Sequence, residues 1–266
     1  AVIVSSAPIM AFDALDAGAV DYIKKPVLKT VNDMKAFADE LKGKIATASN
    51  AKVKQKKSAA TYKKGNYESH VNYANSKIVI AMGTSTGGTD ALQVVLSEIP
   101  VNCPPIVIVQ HMPPVFTRMF AERLNKICDI EIKEAKDGDR LKSGLALLAP
   151  GDFHMKLKKD SRGYYVRVEH GDKVSGHCPS VDVLFSSVAQ SAGRDSIGVI
   201  MTGMGADGAL GLKQMHETGA FTIGQDRDSC VVYGMPMMAY KMGACSIQAP
   251  LDRISETILK RLNSSL

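Results

Sequence analysis

Three loops in the sequence carry side chains that could cooperate in acyl chemistry. Ser85 lies in a loop rich in glycine and threonine, His111 precedes two prolines, and Asp207 lies in a second glycine-rich loop. A hydroxyl nucleophile, an imidazole base and a carboxylate that fixes the imidazole tautomer together hydrolyse acyl bonds through a covalent intermediate. These residue types indicate a serine hydrolase if the fold brings the three loops together.

Each of these loops follows an apolar run that is typical of a buried strand. The runs span residues 77–82, 105–110 and 196–202, and helical patterns lie between them. Near-continuous apolar strands that alternate with helices predict an α/β fold: a doubly wound, mostly parallel sheet with helices on both faces. Ligands bind beyond the carboxyl ends of such strands, so we expect the three side chains at one edge of the sheet.

The remaining patterns complete this sheet and interrupt it once. We predict further strands at 220–225 and 243–250, and helices at 90–96, 116–126, 181–191, 209–218 and 236–241. Short strands are predicted at 144–150, 152–159 and 163–170, the last two joined by a turn at 160–163. We interpret these three as an antiparallel hairpin excursion from the parallel sheet.

The loop around Ser85 matches G-x-S-x-G, a pattern in which small residues permit a sharp strand-to-helix turn. Backbone N–H groups after the serine could stabilise an oxyanion. Such a loop also commonly cradles phosphate, which leaves a non-enzymatic nucleotide- or anion-binding module open. However, the loop lacks a P-loop ending, and Gln110-His111 stands where a dinucleotide site would have an acidic residue. The order Ser, His, Asp also excludes an ordinary α/β-hydrolase.

The other histidines have less specific contexts. We assign surface or structural roles to His70, His154, His170 and His216. For His177, in a loop before a helix, substrate contact and hydrogen bonding within the loop remain equally open. The neighbouring Cys178 lacks metal-ligand spacing with it, and we expect no metal site.

Composition and charge narrow the class of protein. The chain has 266 residues and a net charge of +6, but eight lysines and no acidic residue lie between Leu41 and Tyr67, so the remainder carries −2. This segment predicts a solvated linker rather than a nucleic-acid surface, with weak contact to an acidic partner as the alternative. With no membrane-length apolar run, no secretory signal and five scattered cysteines, we expect a cytoplasmic protein without membrane insertion.

The order of patterns divides the chain into three regions. Residues 1–41 predict strand (1–4), helix (10–17), strand (19–23) and an amphipathic helix (27–41). Residues 42–76 are the predicted basic linker, and 77–266 form the predicted catalytic domain.

Several segments resemble, in order, the sequence blocks of the chemotaxis protein-glutamate methylesterases, the CheB family. They are GTSTGG (83–88), VQHMPP (109–114), HCPSVDVLFSSVA (177–189), TGMGADGALGLKQM (202–215), QDRDSCVVYGMP (225–236) and APLDRI (249–254). The resemblance implies Ser85 as nucleophile, His111 as base and Asp207 as orienting carboxylate, with Thr86 and Met204 supporting the nucleophile and oxyanion. Cys178 departs from the family, where an arginine is expected.

The resemblance also implies a function. Members hydrolyse glutamate γ-methyl esters on chemotaxis receptors and often deamidate glutamines there, with no cofactor or metal in the catalytic domain. The expected partners are therefore receptors, without nucleic acid, and the expected state is a monomer. A serine hydrolase of the same fold that acts on another ester is the alternative.

Residues 1–41 resemble the second half of a flavodoxin-like response-regulator receiver domain. AVIVSS (1–6) resembles its fourth strand, with Ser5 at the switch position, and AGAVDYIKKP (17–26) its fifth, with Lys25 as the phosphate-pairing lysine. The phospho-accepting aspartate would precede Ala1, so we expect either a fragment of a longer chain or a degenerate receiver, the exposed sheet edge favouring the fragment. A chemotaxis histidine kinase would be a partner of a complete receiver.

Overall fold

The computed structural model describes residues 1–6, 12–15, 17–26, 30–49, 51, 73 and 77–264. The chain forms two compact units, Ala1–Thr61 and Tyr62–Leu266. None of the described helices is both long and apolar enough to cross a membrane.

The first unit contains two short parallel strands and a long helix. Strand β1 (Val2–Ser5) pairs with β2 (Asp21–Lys24), and helix α1 spans Val31–Ser49. At the start of α1, Thr30 Oγ1 accepts from Asp33 N at 3.1 Å, and Asp33 Oδ2 accepts from Thr30 N at 2.9 Å, which is a reciprocal cap. Of the predicted helix at 10–17, residues 12–15 are helical, and residues 10, 11 and 16 lie outside the described part.

Helix α1 ends eight residues later than the sequence predicted. The prediction ended this helix at Leu41, where the lysine-rich composition begins, but lysine and alanine are good helix formers. In addition, Lys44 Nζ lies 2.9 Å from Asp21 Oδ1, which ties this part of the helix to β2.

A seven-stranded parallel sheet forms the centre of the second unit, in the order β11-β10-β9-β3-β4-β6-β5. Its strands are β3 (Val79–Thr84), β4 (Ile106–Gln110), β5 (Glu131–Glu134), β6 (Leu145–Leu148), β9 (Ser196–Ile200), β10 (Phe221–Gln225) and β11 (Ile247–Ala249). A separate antiparallel hairpin consists of β7 (His154–Asp160) and β8 (Gly163–Glu169). The predicted α/β class, parallel sheet and hairpin are therefore confirmed.

Six helices within the described residues accompany this sheet. They are α2 (Gly88–Ser97), α3 (Phe116–Ile127), α4 (Val181–Ser191), α5 (Ala209–Glu217), α6 (Met235–Lys241) and α7 (Ile254–Asn263), with 3₁₀ turns at Gly193–Asp195 and Leu251–Arg253. Helix α4 packs against α5 and the hairpin, whereas α2 packs against α3 and α7. Alternate side chains of a strand point to opposite faces, and both sets in β3 and β4 are buried, so the sheet is covered on both sides.

The position of β6 corrects one prediction. The sequence assigned residues 144–150 to the antiparallel excursion, but β6 pairs in parallel with both β4 and β5 inside the central sheet. All four of its residues are buried, and a short apolar run by itself does not identify its sheet. Strand β5 and helix α7 were not predicted; β5 is a polar sequence, EIKE, because it forms the sheet edge.

The strand order places the three candidate loops side by side. Strand β3 lies between β9 and β4, and the chain winds outward from it in both directions, so the winding reverses at β3. The loops after β3, β4 and β9 carry Ser85, His111 and Asp207. The site therefore lies at the topological switch point of the sheet, where open α/β sheets bind ligands.

One residue near this edge has an unfavourable backbone conformation. Val115 directly precedes α3 with φ 73° and ψ −42°, and its side chain is half exposed. A β-branched residue at positive φ costs roughly 1–2 kcal/mol.

We expect Val115→Gly to be more stable than Val115→Ala by about 1 kcal/mol, since only glycine adopts positive φ without steric cost. Urea unfolding of both variants measures this difference. Alanine normally exceeds glycine in stability, so the normal order at position 115 would contradict the strained conformation.

Candidate active site

The carboxylate of Asp207 is the most fully bonded group of the site. Its Oδ2 accepts from His111 Nε2 and from Val181 N, both at 2.7 Å. Its Oδ1 accepts from Ser180 Oγ at 2.7 Å and from Asp182 N at 3.1 Å. Burial disfavours its charged form, but the hydrogen bond and charge of His111, with Ser180 and Val181, hold the pKa of Asp207 below its ordinary value.

Three of the four donors come from the start of α4. Ser180 is the N-cap residue, and its Oγ accepts from Val183 N at 3.3 Å while its O–H donates to Asp207. A carboxylate is stabilised there because unpaired N–H groups and the positive end of the helix dipole meet at a helix N-terminus. The start of α4, which precedes Asp207 by 25 to 27 residues in the sequence, thus holds this carboxylate as an anion.

The bond to Asp207 determines which nitrogen of His111 can act as a base. Because a carboxylate only accepts, Nε2 carries the proton of this pair. Nδ1 of the neutral ring is then the acceptor, and it is buried without a hydrogen-bond partner among the described residues. In the familiar Ser-His-Asp arrangement the carboxylate binds Nδ1 instead, so His111 presents the opposite ring nitrogen to its carboxylate.

Ser85 lies between the two other loops. Its backbone N donates to Thr202 O at 3.0 Å, beside the end of β9, and its carbonyl accepts from Gly88 N at 2.8 Å at the start of α2. His111 N donates to Thr84 O at 3.1 Å, which extends the β3–β4 ladder to the base. A Cβ on Gly203 would lie 2.8 Å from Ser85 Cβ, so this close approach requires glycine.

The described side chains contain no hydrogen bond between the Ser85 hydroxyl and His111. Hydrogen bonds between nucleophile and base are commonly long in the free enzyme and shorten when substrate binds. The structure thus joins His111 directly to Asp207, and Ser85 lies in the neighbouring loop.

The two residues predicted to support the oxyanion lie in the loops after β3 and β9. Thr86 follows the serine, is buried, and its carbonyl accepts from Thr202 Oγ1 at 2.9 Å. Met204 lies in the loop after β9, close to Gly234, and is half exposed. In the other unit, Lys25 N donates to Ser5 O at 3.0 Å, which places the two predicted switch residues at neighbouring strand ends.

His177 packs flat on the candidate base. The rings of His177 and His111 are stacked with centroids 3.7 Å apart and planes inclined by 10°. Val174 and His177 exchange two backbone hydrogen bonds of 3.0 Å around Ser175 and Gly176, both at positive φ. This is the geometry of a tight two-residue hairpin turn, which holds the ring in place. The sequence left His177 open, and its spacing gave no sign of this ring contact.

The remaining histidines lie elsewhere. His154 is buried; its Nδ1 accepts from Ser180 N at 3.2 Å and its Nε2 lies 2.8 Å from Asp172 O. His170 packs against Phe153, and His216 contacts Thr222 and Ser246. His70 lies outside the described residues. Within the described ranges, no three His, Cys, Asp or Glu side chains are grouped to hold a metal ion.

Ser180 and Asp182 are site residues that sequence reasoning did not identify. Asp182 Oδ1 accepts from Gly211 N at 2.8 Å. Burial raises the pKa of Asp182; the Gly211 bond opposes the rise, and the charge of Asp207 adds to it. A serine before a helical pattern could have suggested an N-cap, but its bond to Asp207 depends on the tertiary structure.

The chain was compared with known proteins. The family model described as CheB methylesterase matches residues 80–258. A protein-glutamate methylesterase/protein-glutamine glutaminase of Syntrophomonas wolfei is 46% identical over 262 residues, which are 98% of this chain and 76% of that protein. One of Yersinia pestis is 47% identical over 251 residues, covering 94% and 71%. The crystal structure of the Thermotoga maritima CheB methylesterase catalytic domain superposes with a TM-score of 0.67 at 37% identity, covering 68% of this chain and 97% of that one.

Ser180→Ala should lower the free energy of unfolding by about 1–3 kcal/mol, because a buried carboxylate loses one donor and α4 loses its cap. Ser186→Ala, on the same helix but outside the Asp207 cluster, should change it by less than about 0.5 kcal/mol. Chemical denaturation at neutral pH compares them. Equal, small effects would mean that the Ser180 bond contributes nothing.

Proposed function

Because the chain belongs to the CheB methylesterase family, we propose that Ser85, His111 and Asp207 are the triad with which it hydrolyses glutamate γ-methyl esters on chemotaxis receptors. The bond from His111 Nε2 to Asp207 carries this proposal, since it leaves Nδ1 as a proton acceptor at the strand end beside Ser85. The relatives are named for methylesterase and glutaminase activity together, and the chain is an enzyme of that kind.

In the first half-reaction, Ser85 Oγ attacks the γ-carbonyl carbon and its proton passes to His111 Nδ1. Asp207, kept anionic by its four donors, stabilises the imidazolium that forms. The tetrahedral intermediate then collapses, and the imidazolium protonates the leaving methoxide to give methanol. A glutamine side chain follows the same route and releases ammonia.

In the second half-reaction, water attacks the acyl-enzyme while His111 Nδ1 takes its proton. The resulting tetrahedral intermediate collapses with cleavage of its bond to Ser85 Oγ, which takes the proton back from His111 Nδ1, and a glutamate side chain is left. In both halves, backbone N–H groups that follow Ser85 at the start of α2 are suited to stabilise the oxyanion, because the helix dipole is positive there. We assign Thr86 and Met204 supporting roles at this position, by the resemblance of their sequence blocks.

For the rest of the chain we propose the division predicted from sequence: C-terminal part of a receiver domain (1–41), basic linker (42–76) and catalytic domain (77–266). The first eight residues of the predicted linker, 42–49, continue helix α1, and most of its other residues lie outside the described part of the chain. The parallel pairing of β1 with β2, which sets Ser5 beside the strand end that precedes Lys25, supports the first assignment. We further propose a cytoplasmic location, receptors as protein substrates, and a chemotaxis histidine kinase as the phosphodonor of a complete receiver.

Ser85→Ala and His111→Ala should each lower turnover by several orders of magnitude, because triad members act as a unit. Asp207→Asn should cost about 10³–10⁴-fold by favouring the wrong imidazole tautomer. Methanol release from methylated receptor membranes measures these rates, and circular dichroism controls for folding. A folded Ser85→Ala variant with normal turnover would exclude the mechanism.

Cys178 should be dispensable for the chemical step. Burial and the nearby Asp152 raise the pKa of its thiol, so it is protonated at neutral pH and a poor nucleophile. We expect Cys178→Ala to keep kcat within about threefold of the parent chain, with any larger effect confined to KM. Complete loss of turnover in the folded variant would count against serine as the nucleophile.

A further inference from the structure

The strands that lead to Ser85 and His111 end in a pair of buried polar residues. Thr84 is the last residue of β3 and Gln110 the last of β4, and they lie directly opposite each other in the ladder. Both are almost fully buried. Burying polar side chains costs free energy unless their hydrogen bonds are satisfied, so the bonds of this pair indicate what the pair does.

Both N–H groups and the oxygen of the Gln110 amide are hydrogen-bonded at the ends of these two strands. Its Oε1 accepts from Thr84 Oγ1. Its Nε2 donates to the backbone carbonyl of Ser85 at 3.0 Å and to that of His111 at 3.1 Å. A primary amide has two N–H donors, and here one donor goes to the nucleophile's residue and the other to the base's residue.

We propose that Gln110 is a positioning residue that sets the distance between the Ser85 hydroxyl and the His111 imidazole. This inference rests on the proposed function, because it assumes that these two side chains react together. By bonding both carbonyls from one rigid planar group, the amide limits how far either loop can shift along its strand. A 1 Å displacement between nucleophile and base can reduce the rate by about 10²-fold.

The space around the amide is kept open by glycine. A Cβ on Gly88, the first residue of α2, would clash with both Gln110 Oε1 and Thr84 Oγ1. Gly88 N also donates to Ser85 O at 2.8 Å, so this carbonyl accepts from the helix and from Gln110 together. The main chain of Ser85 is therefore fixed from two sides.

Thr222 provides a control. It is a buried polar residue of a different strand, β10. Its Oγ1 accepts from Ser246 N at 2.9 Å and lies 3.2 Å from His216 Nδ1. Among the described residues, its side chain bonds to none of the three proposed catalytic residues, so Thr222→Val removes a buried hydrogen-bonding group without releasing the two loops.

The test uses the full chain with Gln110→Met and Thr222→Val. It measures kcat and KM on methylated receptor membranes, the thermal midpoint, and the pH-dependent rate at which an alkyl fluorophosphonate labels Ser85. We expect Gln110→Met to lower kcat and the labelling rate by about 10–100-fold, with KM within about twofold. Thr222→Val should also lose stability but keep both rates within about threefold.

Thr84→Val is the second variant, and it decides the outcome if Gln110→Met does not fold. It removes the hydroxyl that orients Oε1 while leaving the amide in place, so we expect a labelling rate lowered by about 3–10-fold.

The inference is overturned if a folded Gln110→Met variant keeps its kcat, or if it loses rate and stability in the same proportion as Thr222→Val. If Gln110→Met does not fold, an unchanged labelling rate in Thr84→Val overturns the inference. Ser85→Ala separates this result from the proposed function: if that variant still hydrolyses receptor esters, the triad itself is wrong.

Discussion

A negative charge that is almost completely withdrawn from water is the constraint on which this site depends. Asp207 is about 1% exposed. An isolated buried carboxylate would take up a proton, and it would then no longer fix the imidazole tautomer. Its four donors prevent this, and three of them are presented by the start of α4. The position of this helix therefore fixes the proposed triad, although none of its own residues belongs to that triad.

The sheet contributes by setting distances rather than by supplying reactive groups. Because β3 lies between β4 and β9, the loop with Ser85 adjoins the loops of both partners. Backbone bonds from His111 N to Thr84 O and from Ser85 N to Thr202 O continue the ladders past the strand ends. The loops consequently keep the regular spacing of the parallel strands. Glycine at position 203 allows its backbone to lie close to the Ser85 side chain.

Polar residues at the ends of these strands interrupt an otherwise apolar core. Gln110 and Gln225 are buried where a leucine or methionine would contribute transfer free energy without needing partners. Each amide instead fixes main-chain groups near the site. Holding a site in a fixed geometry generally costs stability. A functional site therefore retains buried polar groups that a purely structural core would replace with apolar ones.

The sequence by itself determined the class of fold, and it predicted the chemistry of the site. Apolar runs alternating with helices require a covered parallel sheet, and Ser85, His111 and Asp207 each follow such a run, so their common edge follows from topology alone. The sequence did not determine that LALL joins the central sheet, because an apolar run looks the same in any buried strand, nor that the polar EIKE forms its edge.

Only the tertiary structure decided which nitrogen of His111 faces Asp207, that His177 covers the imidazole, and that Ser180 and Gln110 hold their neighbours. The first of these links residues 96 positions apart, and the bond from Ser180 to Asp207 spans 27. Local periodicity reports which face of an element is buried, whereas such contacts depend on strand order and packing, which no single segment of sequence encodes.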